Sequence, residues 1–206
     1  MPARTTYLFV NGIRTMPGDT RNWNSRAVTW THINTPHVAE CVEYYTLAIF
    51  RPWQQTKRAL RLVEKIESYR FYGDDLVLVG HSNGCDVILD ALDRLDFSVK
   101  VKQVHLVCGA CESNFQKNGL NNALHRKSIG EVFIYIAGKD SMLRLARSVP
   151  GKVLGFGTLG LHGAVKADPA LINQGRITER RWPQYTHSEC WTGGNFHDTM
   201  QQIVIS

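Results

Sequence analysis

The chain has 206 residues, of which 43% are hydrophobic and 20% charged. That composition excludes a disordered or fibrous chain, and the length suits one domain that buries roughly 70% of its unfolded surface. The net charge of +6 suits an anionic contact, either phosphate, nucleic acid or an anionic lipid face.

Strand and helix patterns alternate from the start. A strand is expected at 5–11, then a polar, Trp-bearing stretch at 20–34 that can hold a helix, then a strand at 38–46. Pro52 opens a helix running to about Tyr69, with Trp53, Ala59, Val63 and Ile66 broadly on one face. The 75–80 stretch is apolar on both faces, as a central parallel strand is. A helix follows at 83–95, with Cys85, Ile88, Leu92 and Leu95 inward. A strand at 101–108, a short helix at 121–127 and a strand at 131–137 come next. The glycine-rich stretch 150–175 has no clean period and is expected to be a long loop or lid. A strand at 176–181 and a helix at 194–204 follow, without a repeat or a second domain. Repeated β–α alternation predicts an α/β fold: a doubly wound, mostly parallel sheet with helices on both faces.

No apolar run approaches the roughly 20 residues of a membrane span. The start, MPARTTYLFV, lacks the basic, apolar and cleavage regions of a secretory leader, so a cytoplasmic location is expected. Five cysteines are an odd count for a disulfide framework and point to reduced thiols. Basic residues concentrate at 117–152, where Lys117, Arg126, Lys127, Lys139, Arg144, Arg147 and Lys152 face only Glu131 and Asp140. The plain reading is a solvated basic surface, since no nucleic-acid motif accompanies it.

The strongest chemical signal is Gly80-His81-Ser82-Asn83-Gly84, a G-x-S-x-G between a buried strand and a helix. A nucleophile on so sharp a turn sits in strained backbone, and small residues two before and two after it relieve the clash. The turn also sets the Asn83 N–H at the positive end of a helix. The plainer alternative is a glycine-rich turn with an incidental serine.

With this motif the sequence resembles the α/β-hydrolase family, specifically its small lipase- and esterase-like members, over nearly the whole chain. The resemblance implies a Ser-acid-His chain order and an oxyanion hole built from two backbone N–H groups, here those of Ile13 and Asn83. Small lipases commonly end the first matching strand in His-Gly; here Asn11 stands in place of that His. The chain begins directly at this strand and so resembles a core without the family's first two strands.

The acid candidate is Asp140, at the carboxyl end of a strand, where sites sit in open parallel sheets; its alternative role is to cap a helix starting near Ser141. Glu112, after the preceding strand, is the second acid candidate. His187 lies in the loop before the last helix and resembles the family's ending, so it is the expected base. His197 inside that helix is the second candidate, and His162 comes too early. His81 is a poor base, because the turn directs its ring elsewhere. Cys108-Gly-Ala-Cys111 lacks the helix pattern of a redox motif and the second ligand pair of a zinc site. Phe156, Leu159, Leu161, Trp182 and Trp191 are either acyl-pocket lining or plain core.

These residues predict a serine hydrolase of the carboxylesterase or lipase-like kind. Its substrate would be a small-molecule ester or thioester, or a lipid-like acyl compound, and no cofactor or metal is implied. An acyltransferase would use the same triad. The alternative of another class is a non-catalytic binding protein that docks an anionic surface through 117–152.

Overall fold

The structure is a computed structural model that describes residues 4–13, 17–44, 51–69, 75–96, 98–146, 148 and 155–205. Strands β1 (Thr5–Val10), β2 (Val38–Val42), β3 (Asp75–His81), β4 (Val101–Val107), β5 (Ile129–Ala137) and β6 (Ile177–Trp182) form one sheet. Its spatial order is β2-β1-β3-β4-β5-β6, and every neighbouring pair is parallel. Doubly wound parallel architecture is therefore observed as expected.

The period of two along each strand divides the core into two layers. Leu8, Val10, Leu76 and Leu78 point to one face. There they meet the inward residues of helices α2 (Arg51–Tyr69), α3 (Asn83–Arg94) and α4 (Leu120–His125). Tyr7, Phe9, Val77 and Val79 point to the other face, against α1 (Trp23–Asn34) and the C-terminal helix α8 (Gly193–Val204). Both faces are covered, which is why β3 reads as an unbroken apolar run.

Two expectations are corrected. The second strand stops at Val42 instead of reaching 46, although 45 and 46 lie outside the described residues. Tyr44 leaves the ladder because the Asn11 side chain takes over its backbone groups. Asn11 Nδ2 donates to Tyr44 O at 3.0 Å, and Tyr44 N–H donates to Asn11 Oδ1 at 3.3 Å. The described part of the glycine-rich stretch is not a plain loop. It contains α6 (Leu159–His162) and α7 (Pro169–Asn173), while 150–154 lie outside the described residues. Backbone bonds from Gly157 to Ala110 O, Leu159 to Cys111 O and Gly160 to Gly109 O tie it to the loop after β4. Leu159 and Leu171 are core residues, so Leu159 is not available to line an acyl pocket. Helices of four and five residues are too short to display a helical period in the sequence.

The register brings the carboxyl ends of the strands into line: Val10 beside Gly80, His81 beside Val107, Val107 beside Tyr135, and Ala137 beside Trp182. Ser82, Asp140 and His187 follow the carboxyl ends of β3, β5 and β6 at this edge.

Candidate active site

Ser82 joins β3 to α3 with φ 56° and ψ −120°, a conformation that is costly for a residue with a Cβ. The surroundings hold it there. Its N–H donates to Val107 O at 3.0 Å, and its carbonyl accepts from Ala110 N at 3.0 Å and Cys85 N at 3.2 Å. The flanking glycines are required by close approach. A methyl group on Gly84 would lie 2.3 Å from Val10 O, and one on Gly80 would lie 2.9 Å from Cys85 N. Strand β1 thus packs directly against the start of α3. A methyl on Gly12 would sit 3.4 Å from Ser82 Cβ, so the β1 turn carrying half-buried Ile13 runs beside the serine. The buried Asn83 is the first residue of α3, where helical N–H groups have no partner within the helix.

Asn11, directly after β1, is fully buried and structural. Besides its amide bonds to Tyr44, its carbonyl accepts from the Tyr44 hydroxyl at 2.6 Å. These bonds anchor the Gly12–Ile13 turn from beneath.

Asp140 and His187 meet. Asp140 follows β5, is fully buried, and its Oδ2 accepts from His187 Nδ1 at 2.6 Å. Its Oδ1 accepts from Leu143 N at 2.8 Å, capping α5 (Ser141–Ala146). The two roles weighed for Asp140 are therefore compatible, one on each carboxylate oxygen. The His187 side chain is 15% exposed. Among the described residues, neither Ser82 Oγ nor His187 Nε2 makes a hydrogen bond.

The other candidates lie apart from this pair. Glu112 is exposed, turns its carboxylate to Asn114 N at 2.9 Å, and lines a groove with Asp90, Asp93 and Lys117. His197 is exposed on α8, and its Nδ1 accepts from Trp30 Nε1 at 3.0 Å. His162 is also exposed. Of the aromatic candidates, Trp191 reaches the site. It stacks on Trp23 with ring centroids 4.3 Å apart and meets His81 edge-on at 5.9 Å, while Arg26 donates to its carbonyl at 3.0 Å. Trp182 packs on Tyr135 and Tyr185 in the core.

His81 is the residue whose place the sequence did not disclose. Its Nε2 lies 2.8 Å from the carbonyl oxygen of His187, and a carbonyl only accepts, so this nitrogen carries the proton. Burial, reinforced by neighbouring His187, pulls its pKa down to about 3 against the smaller opposing effect of that carbonyl. The ring is neutral near pH 7.

The C-x-x-C cysteines are fully buried, as are Cys85 and Cys190, and none of the five cysteines is in a disulfide. A thiol hydrogen bond to Cys190 and burial hold the Cys108 thiol well above its ordinary pKa, so it is no thiolate nucleophile. Among the described residues, no group of three or more His, Cys, Asp and Glu could hold a metal ion. None of the described helices is long and apolar enough to cross a membrane.

No protein-family model matches the sequence, and no curated protein does either. Solved structures do match. The chain has the α/β-hydrolase fold. A Bacillus licheniformis lipase superposes with a TM-score of 0.56 at 15% identity, over 98% of this chain and 93% of its own. The ydeN gene product of B. subtilis superposes with a TM-score of 0.57 at 14% identity, over 98% of this chain and all (100%) of its own. An uncharacterized Bacillus cereus protein gives 0.60 at 11% identity, and this chain spans 58% of that protein's length. Within the α/β-hydrolase fold, ligands are expected outside the carboxyl ends of the strands, and Ser82, Asp140 and His187 all lie at that edge.

Proposed function

We propose that this protein is a serine hydrolase that cleaves a carboxylic ester or thioester through a Ser82–His187–Asp140 triad. The observation that carries the reading is the 2.6 Å contact between buried Asp140 and His187, beside a serine held at φ 56°. A carboxylate can only accept, so Nδ1 of His187 is the protonated nitrogen and Nε2 is left as a base. Ser82 Oγ attacks the substrate carbonyl carbon and passes its proton to His187 Nε2. The contact between them closes in the substrate complex, as such bonds commonly do. Asp140 stabilises the imidazolium, and the Ile13 and Asn83 N–H groups receive the oxyanion. The imidazolium then protonates the leaving alcohol or thiol, and water attacks the acyl-serine by the same base.

Ester-cleaving neighbours of the same fold, a lipase and an esterase among them, support the reading of a small ester substrate. An acyltransferase would differ only in the final acceptor. The exposed Lys117, Arg126, Lys127, Lys139 and Arg144 support the other reading, a non-catalytic protein that docks an anionic surface. Labelling with a fluorophosphonate separates the two. An enzyme labels as wild type and not as Ser82→Ala or His187→Ala. A folded wild type that does not label, with salt-sensitive binding to anionic vesicles instead, would overturn the hydrolase.

A further inference from the structure

Asp140 fixes the His187 ring, but nothing in a ring contact alone holds the backbone that carries it. That backbone belongs to a loop between β6 and α8, anchored locally by Glu189 Oε2, which accepts from Thr186 N–H. Lys139 N–H also donates to Tyr185 O at 3.0 Å, and His81, at the end of β3, supplies the anchor on His187 itself through the 2.8 Å bond from its Nε2–H to the His187 carbonyl. We propose that His81 is a positioning residue, clamping the main chain of the base to the strand that ends in the nucleophile.

The inference rests on the hydrolase reading above and adds to it a role for the residue preceding the serine. Adjacent residues have Cα atoms 3.8 Å apart across a trans peptide. The nucleophile and the clamp on its base therefore move together as one short piece of backbone. Asp140 and His81 grip His187 at ring and carbonyl respectively, so the direction of Nε2 is determined from two points. The His81 ring is itself confined. Trp23 and Trp191 meet it edge-on at 5.8 and 5.9 Å, and the His187 ring centroid lies 4.9 Å away. Burial keeps it neutral, so it does not oppose the positive charge that His187 acquires in the transition state.

A pair of variants differing by one methylene tests the clamp. The amide nitrogen of His81→Gln sits near the position of the imidazole Nε2 and can still donate, whereas that of His81→Asn falls short. His81→Phe keeps the aromatic packing and removes the donor. Hydrolysis of p-nitrophenyl butyrate and the rate of fluorophosphonate labelling are measured for each, with melting temperature as the check on folding. We expect Asn and Phe to lower kcat and the labelling rate by about 10- to 100-fold, the scale of a misaligned catalytic group. KM should stay within about twofold, and Gln should recover most of the rate. If Phe does not fold, the Asn–Gln pair alone decides. Equal activity in Asn, Gln and wild type would overturn the clamp, as would equal loss in folded Asn and Gln. A wild type that does not label overturns the hydrolase reading instead, so the two failures are distinguishable.

Discussion

Two histidines are buried without charge, and they make stability depend on acid. His105 lies fully inside the sheet; burial, and to a lesser degree the positive charge of Arg180, pull its pKa down to about 3, as burial does for His81. An unfolded chain takes up a proton at histidine near pH 6.5. The folded state refuses it, so the contribution is complete above about pH 6.5 and is lost as pH falls from there toward 3. At about 1.4 kcal/mol per pH unit, going from about pH 7.5 to about pH 5 costs roughly 2 kcal/mol per histidine. Two such residues remove roughly 4 kcal/mol, a large part of the 5–15 kcal/mol typical of a domain. His105→Phe isolates one share. Its ring can keep the stack on Phe133, now at 4.8 Å and 8° between planes, while losing the titration and the 2.9 Å contact with the Tyr135 hydroxyl. Losing that contact shifts stability about equally at both pH values. Urea unfolding of both proteins at the two pH values gives the difference. The variant should gain about 2 kcal/mol on wild type as pH falls. Parallel curves, within about 0.5 kcal/mol, would refute the assignment of His105 as a buried neutral group.

Other perturbations have equally definite outcomes. Gly84→Ala drives a methyl to 2.3 Å from Val10 O and 2.8 Å from Asn11 O, so it should destabilise by about 3 kcal/mol or more, and an unchanged melting temperature would contradict the packing of β1 on α3. Arg176 donates to three carbonyls, Gly130 O at 2.9 Å, Leu124 O at 2.8 Å and Ile129 O at 2.6 Å; Arg176→Lys loses the planar fork and should cost about 2 kcal/mol in urea unfolding. Tyr44→Phe deletes the 2.6 Å bond to Asn11 O and should cost about 1 kcal/mol by the same assay. Asp140→Asn can keep the cap on Leu143 N but presents an amide that permits the wrong His187 tautomer. Labelling by fluorophosphonate should fall by about 10⁴ with the melting temperature little changed.

Much of this architecture is legible in the sequence, because strand burial is local information. The run at 76–79 is apolar at consecutive positions, and the turn that follows advertises itself through two glycines that close backbone approach demands. The place of Asp140 is also legible, since a short polar side chain between a strand and a helix is at a capping position, and its cap on Leu143 N is observed. What the sequence conceals is cross-chain. The end of β2 at Val42 depends on the side chain of Asn11, which lies 33 positions from Tyr44, and no window of neighbouring residues contains both. The bond from His81 to the carbonyl of His187 spans 106 positions and involves an atom every residue possesses, so it has no sequence signature. Helices α6 and α7 escape for a third reason, because one turn cannot establish a period.

The hydrogen bonds around Ser82 also impose a timetable on biosynthesis. Beyond the β2-β1-β3 reversal, strands join the sheet in the order in which they are translated. The serine's own amide and carbonyl are bonded to Val107 and Ala110, so its strained turn is not secured until β4 has docked. His187 lies about 105 residues beyond the serine. At about 5–20 residues per second, a ribosome would need roughly 5 to 20 seconds to supply it. Under the proposed triad, a nascent chain throughout that interval would carry the serine without its base. The same proposal would make chains released before His187 inert, and hydrolytic competence would then mark completion of the sheet.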